Sequence, residues 1–179
     1  MDPASKVLVI VGPTAVGKSA LGVEIARKFG GEIISADSRQ VYRGLDVGTG
    51  KITKREMRGI PHHLIDVTRP KKQFSVAEYQ TLAQDKITDI LARGKLPVIC
   101  GGTGLYVDAV LGRIVFPEVP PNLALREELA EKSAQELFAL LQKVAPERAR
   151  MIDLYNPRRL VLAIEITMGQ NSSKYPCSA

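Results

Sequence analysis

The chain has 179 residues, enough for one domain with a small accessory lobe. At 45% hydrophobic it can build a core, yet no run nears the roughly 18 apolar residues of a membrane span, and Met1 to Lys6 shows no secretory leader. A membrane or secreted class is therefore not expected, the cytoplasm is, and 25 Lys+Arg against 19 Asp+Glu lean toward anionic partners such as nucleotide, diphosphate or RNA, although an ordinary basic surface fits equally.

Lys6 to Val11 is a continuous run of β-branched residues and Leu, as in a strand buried on both faces. A helix is expected from Ser19 to Phe29, stopped by Gly30-Gly31, and a second strand over Glu32 to Asp37. A polar stretch, Ser38 to Arg43, and a basic loop from Gly44 to Gly59 precede a third strand over His63 to Val67. Ser75 to Ala92 is the clearest helix. Ser75 and Glu78 have capping-box spacing, and Val76, Tyr79, Ala83, Ile87, Ile90 and Leu91 share one face. Leu96 to Cys100 is a further buried strand, with Cys100 a core thiol; with only Cys177 besides, no disulfide framework is indicated.

Strands alternating with helices predict an α/β fold, a P-loop NTPase-like parallel sheet with helices on both faces. Composition changes near Phe116. The expected organisation is an α/β core over residues 1–116, then a small all-helical insertion over 117–150, built from helices over Leu123–Val144 and Pro146–Asp153. Residues 151–179 are expected to hold a helix returning to the core, from Asn156 through Ile166, and a disordered tail from Gly169.

The stretch Gly12-Pro13-Thr14-Ala15-Val16-Gly17-Lys18-Ser19 is a P-loop set between a strand and a helix. Its glycines permit a tight turn whose backbone N–H groups converge on phosphate oxygens, at the positive end of the following helix. Lys18 adds an ammonium for the terminal oxygens, and Ser19 offers a hydroxyl to Mg²⁺. The motif names an anion-binding device and leaves three classes open: a small-molecule kinase, an NTPase switch or motor, and a transferase with a diphosphate leaving group.

Asp37 falls at the C-terminal end of the second strand, where open α/β sheets place ligand-handling residues. It reads equally as an acid that takes a proton or orients Mg²⁺, and as an N-cap for a short helix beginning at Ser38. Gly101-Gly102-Thr103-Gly104 follows a strand in the same way and lets backbone approach a ligand, with Thr103 its one polar side chain; a tight turn capped by Thr is the alternative. His62 and His63 point to opposite faces if they lie in a strand, and neither has a Cys or acidic residue at ligand spacing. Lys51, Lys54, Arg55, Arg58, Arg69, Lys71 and Lys72 suit either a phosphodiester backbone or a solvated face.

Taken together, GPTAVGKS (12–19), ISADSRQVYRGLDVGTGK (34–51), PHHLIDV (61–67), FSVAEY (74–79), CGGTGLY (100–106) and NPRRL (156–160) resemble the tRNA dimethylallyltransferase (tRNA isopentenyltransferase) family over nearly all of residues 6–166. The resemblance implies transfer of a dimethylallyl group from dimethylallyl diphosphate to the exocyclic amine of an adenine beside the tRNA anticodon. Lys18 and Mg²⁺ at Ser19 would neutralise the leaving diphosphate, Asp37 would act as general base, and Thr103 would sit between the reactants. It further implies tRNA contacts from Asp37, Ser38, Arg39, Gln40, Thr103, Arg126, Arg158 and Arg159, with the anticodon stem-loop as partner and a monomeric enzyme. Adenylate prenyl transfer, a P-loop kinase and an inactive RNA-binding remnant are the rival readings. Val16 stands where the family often has Ser, Gly50 and Ile52 where Ala and Pro are usual, and Leu162 where an Arg is usual. The likeness stops near Ile166, so a truncated member is expected.

Overall fold

The structure is a computed structural model that describes residues 6–114 and 119–174, with side chains to 170. Its contacts divide the chain into two compact units, Met1–Val115 and Phe116–Ala179.

The first unit is a four-stranded parallel sheet in the order β1-β4-β2-β3: β1 (Leu8–Val11), β2 (Gly31–Ser35), β3 (His62–His63) and β4 (Leu96–Gly101). Alternation along the strands sorts side chains to the two faces. Ile33, Val98 and Cys100 pack with Val23 and Ala26 of α1 (Lys18–Phe29). Ile34 and Ile99, one residue out of phase, pack on Tyr79, Ala83, Ile87 and Ile90 of α3 (Val76–Ala92) and Tyr106, Val107 and Val110 of α4 (Gly104–Val110). Helices therefore cover both faces, as the continuous apolar strands predict. Gly30, left-handed at φ 65, ends α1, and Ser75 with Glu78 forms the expected capping box on α3.

The third strand is shorter than its sequence suggests. Leu64 and Asp66 adopt positive φ (60 and 57), which turns the chain off the sheet after His63 and leaves Thr68 to form an isolated bridge with Tyr42. The basic loop holds one turn of helix, α2 (Lys54–Met57), closed by a capping box between Thr53 and Glu56.

A buried carboxylate ties together the end of the sheet away from the P-loop. Glu32 is 3% exposed and meets the guanidinium of Arg93, Lys95 Nζ at 2.7 Å and His63 Nε2 at 2.7 Å. The Arg93 hydrogen bond, working against burial and helped by Lys95 and His63, holds its carboxyl far below the usual range. Because the folded-state pKa is depressed, this stabilisation is complete above the unfolded value of about 4.3 and is lost as pH falls below it. Glu32→Gln is expected to cost about 2–3 kcal/mol near neutral pH, below the full value of a broken buried pair because Arg93 and Lys95 still reach solvent. Urea denaturation checks this, and the gap between variant and parent should narrow at pH 3.

The second unit is all-helical: α5 (Leu123–Ala130), α6 (Ala134–Val144), α7 (Pro146–Ala149) and α8 (Pro157–Lys174). The helix expected over Leu123–Val144 is two, because Ser133 starts a new one with a capping box to Glu136. Leu160, Ala163 and Ile164 of α8 pack on Leu129, Leu137 and Leu141. The helix expected to return to the α/β core, α8, thus packs within the second unit, since the apolar stripe that α5 and α6 leave open needs a third helix. It runs to Lys174, past the expected onset of a disordered tail at Gly169, and the rest of that tail, 175–179, lies outside the described residues. Among the described residues no helix is long and apolar enough to cross a membrane.

Candidate active site

The P-loop leaves β1 at Val11 and enters α1 at Lys18. Two residues bend it through left-handed backbone, Ala15 (φ 65) and Gly17 (φ 86). Gly17 adopts this at no steric cost, whereas Ala15 stores strain of order 1 kcal/mol, of the kind that collects at ligand-gripping loops. The turn aims successive N–H groups into one concavity at the N-terminal end of α1. Lys18 Nζ donates to the carbonyl of Pro13, within its own loop, so the ammonium is held beside that concavity.

A cavity of about 440 Å³ opens there at the C-terminal ends of β2 and β4. Thr14, Ala15, Gly17, Lys18 and Ser19 line its phosphate side. Asp37 and Gln40 line a second side, and Gly101 with Gly102 the floor. The remaining wall mixes Ser35, Thr49, Gly50, Glu56 and His62 with apolar Ala20, Ile33, Ile52, Ile65 and Cys100. Gly12, Pro13 and Val16 belong to the loop without lining the space.

Asp37 Oδ1 accepts from the N–H groups of Arg39 (2.9 Å) and Gln40 (3.4 Å). It caps a turn where a helix was the alternative, and among the described residues none takes Oδ2. Thr103 does not line the cavity. Its Oγ1 accepts from Ser38 N–H at 3.0 Å and lies 3.3 Å from Ser38 Oγ, while its own N–H donates to Ala36 O at 3.0 Å. In this state Thr103 braces the Asp37–Gln40 turn. Tyr79 supports the same corner from below: its hydroxyl donates to Ser35 O at 3.0 Å, and its ring stacks on Tyr106 at 3.9 Å. Burial, followed by Tyr42 and Asp37, pushes the Tyr106 hydroxyl up to about 12.

His62 and His63 diverge as adjacent strand residues must. His62 lines the cavity with Nδ1 at 2.8 Å from Ile60 O, and burial keeps its pKa below the ordinary value. His63 turns to Glu32, an acidic partner 31 residues away in sequence that no local spacing announces. Among the described residues no group of three His, Cys, Asp or Glu could hold a metal ion. Ser19 stands at the first turn of α1 and lines the phosphate side, which suits Mg²⁺, an ion that takes few protein ligands and keeps its waters and phosphate oxygens.

The basic loop separates into different roles. Lys51, grouped by sequence with a solvated face or a phosphate track, is inside: its side chain is 6% exposed and its ammonium meets Asp46 and Asp66. Burial works to deprotonate it, but hydrogen bonds to those carboxylates outweigh burial and raise its pKa. Arg58 pairs with Glu24 at 3.0 Å and Lys72 with Glu78 at 3.1 Å on the surface, while Lys54 and Arg55 are exposed.

In the second unit Arg158 and Arg159 are exposed on the first turn of α8, where Pro157 leads and Asn156 Oδ1 accepts from Arg159 N–H. Arg126 is paired through Nε and Nη2 with Glu165 (2.9 and 2.8 Å), which also accepts from Asn122 N–H at 2.7 Å. The buried Glu165 therefore pins the start of α5 to α8, a role sequence reasoning missed because its partners lie 39 and 43 positions away.

A family model described as "IPPT: IPP transferase" matches residues 40–178. The chain is 49% identical over 161 residues to a tRNA dimethylallyltransferase of Anoxybacillus flavithermus, covering 90% of this chain and 52% of the relative. It is 54% identical over 166 residues to that of an Exiguobacterium species, covering 90% and 53%. The full-length tRNA isopentenylpyrophosphate transferase of Bacillus halodurans superposes with a TM-score of 0.63 at 46% identity, over 92% of this chain and 56% of that one. A eukaryotic dimethylallyltransferase acting on tRNA superposes with a TM-score of 0.81 at 29% identity, over 98% and 45%. The chain thus spans about half the length of the relatives it matches. Matched by that model over most of its length, the chain, with its P-loop, its Asp37 turn and its second glycine loop on one cavity, belongs to the IPP transferase family.

Proposed function

We propose that this chain carries the reaction centre of a tRNA prenyl transferase, which moves a dimethylallyl group from dimethylallyl diphosphate to the exocyclic amine of an adenine next to the anticodon. The observation that carries this reading is one cavity that joins a phosphate-gripping loop, an acid with a free oxygen and an apolar wall. The diphosphate binds the N–H groups of the P-loop and Lys18. The five-carbon tail lies against Ile33, Ile52, Ile65 and Cys100. The adenine must leave its stack to reach such a site.

In the transfer, the amine nitrogen forms a bond to the allylic carbon as the carbon–oxygen bond to diphosphate breaks. The electron pair of that bond leaves with the diphosphate, and the proton released from nitrogen passes to Asp37 Oδ2. Lys18 and the positive end of α1 stabilise the charge on the departing group. Mg²⁺ at Ser19 would supply further neutralisation of that charge. Thr103 holds the turn that presents Asp37, and moves between the reactants only if its bond to Ser38 opens. Ser38, Arg39 and Gln40 are proposed to meet the flipped nucleotide, and exposed Arg158 and Arg159 the RNA backbone. Arg126 keeps Nη1 outside its pair with Glu165 for the same purpose. The segment over 117–150 is assigned to tRNA contact, and the working state to a monomer in the cytoplasm.

The test supplies labelled dimethylallyl diphosphate with an anticodon stem-loop or with AMP, beside an ATP hydrolysis assay. Label in the stem-loop is expected. Label in AMP alone would move the substrate to a free nucleotide, and ATP consumption without transfer would replace the reading by a kinase. Stem-loop binding without transfer would assign catalysis to parts of the longer relatives absent from this chain.

A further inference from the structure

The cavity's two sides are built differently. The P-loop side is shaped by its own turn, whereas the apolar side sets Ile33 and Cys100 of β2 and β4 opposite Ile52 and Ile65, which come from two loop segments with little regular structure, residues 42–52 and 64–68. The second of these is bent through left-handed backbone at Leu64 and Asp66, flanking the cavity residue Ile65. Backbone in that region is costly for residues with a Cβ and persists only where its surroundings hold it.

One side chain holds both segments. Lys51 Nζ donates to Tyr42 O at 2.8 Å, to Asp46 Oδ1 at 2.6 Å and to Asp66 Oδ1 at 2.6 Å, which uses all three of its N–H groups. These acceptors mark the start of the first loop, its middle and the bend of the second. Lys51 adjoins Gly50 and Ile52, and Asp66 adjoins Ile65, so the Lys51–Asp66 pair brackets the residues that face the cavity. Arg43 Nε donates to Asp66 O at 2.6 Å, and Asp66 N–H to Gln40 O at 3.1 Å. Gln40 in turn reaches Gly50 O at 3.4 Å, closing the network onto the Asp37 turn. Lys51 itself does not line the cavity.

We propose that Lys51 is a positioning residue that sets the apolar wall of the cavity, and through it the grip on the prenyl tail as distinct from the diphosphate. Its ammonium works as a fixed ion does in a loop, gathering three oxygens that would otherwise splay. This rests on the functional reading above for the nature of the tail, but the loop-ordering role does not.

The experiment compares the parent 179-residue chain with Lys51→Met. Calorimetry measures the affinities for dimethylallyl diphosphate and inorganic diphosphate in Mg²⁺ buffer, and hydrogen exchange follows the backbone amides. The ratio of the two affinities is expected to fall about tenfold in the variant, the worth of one to two buried methyl groups, with diphosphate affinity within about twofold of the parent. Exchange should quicken at the amides of Asp66 and Thr68 and across 43–52, and stay unchanged over 13–19. If Lys51→Met fails to melt cooperatively, Lys51→Arg serves instead: its spread fork keeps the charge without bringing three acceptors to one nitrogen, and it should lower the ratio too. An unchanged ratio in a folded variant, or unchanged exchange in 43–52, overturns the proposal. Should the parent itself show no preference for the prenylated ligand, the functional reading fails while exchange still decides the role of Lys51.

Discussion

Replacing Asp37 by alanine is expected to lower prenyl transfer by about 10²–10⁴-fold, the usual contribution of a positioned general base, with diphosphate affinity within about threefold of the parent. The phosphate side of the cavity is built from Thr14 to Ser19 and owes nothing to this side chain, which is why binding should survive. On the proposed reading Asp37 has two duties that one variant cannot separate. Oδ1 caps the turn through Arg39 and Gln40, and Oδ2 is the oxygen proposed to take the proton of the amine. Asp37→Asn separates them, since its amide oxygen still caps the turn but the group no longer takes a proton. If proton transfer is the duty that matters, both variants lose turnover alike, while only alanine loses the roughly 1 kcal/mol of the cap in thermal unfolding. Parent-like turnover in Asp37→Asn would assign the residue to the turn alone.

Gly101→Ala should be the most damaging change of a single methyl group in the first unit. A Cβ at Gly101 would stand 2.2 Å from the carbonyl oxygen of Ala36 and 2.3 Å from its carbon. The obstacle is backbone, which has no rotamer to yield. At this point Ala36 N–H donates to Cys100 O at 2.8 Å and Ala36 O accepts from Thr103, so the ends of β2 and β4 are laced together. Forcing them apart separates Asp37 from the second glycine loop. A cost of about 3 kcal/mol is expected, at the upper end for overpacking, with a fall in Tm of roughly 10–20 °C for a unit of this size. Gly102→Ala is the control. Its nearest neighbour is Gly12 O at 3.7 Å, an ordinary contact, and its Tm should stay within about 2 °C of the parent. Equal melting temperatures for the two variants would show that the strand ends are not held as closely as the structure places them.

How far the sequence carried the reading differs from element to element. The run Leu8–Val11, the helix over Val76–Ala92 and its capping box were all readable, because each depends on neighbours within a few residues. The break between α5 and α6 is equally written in Ser133 and Glu136, but the apolar periodicity continues across it and hides the stop. The third strand was overextended for the opposite reason. His63 to Val67 has strand composition, but Leu64 and Asp66 take left-handed backbone, and Asp66 is held there by contacts with Arg43, Gln40 and Lys51 from elsewhere in the chain.

By itself the sequence determined the phosphate loop, the parallel sheet with helices on both faces, and the candidacy of Asp37, since spacing, glycine placement and strand-end position are properties of adjacent residues. Only the tertiary structure decided that Lys51 lies inside its loop, that Thr103 braces Ser38, that Glu32 gathers Arg93, Lys95 and His63, and that α8 joins the second helical unit. The physical reason is range. A charged side chain has the same identity whether it is solvated or buried, and its partners here lie from 5 to 63 positions away, brought within reach only once the chain has folded.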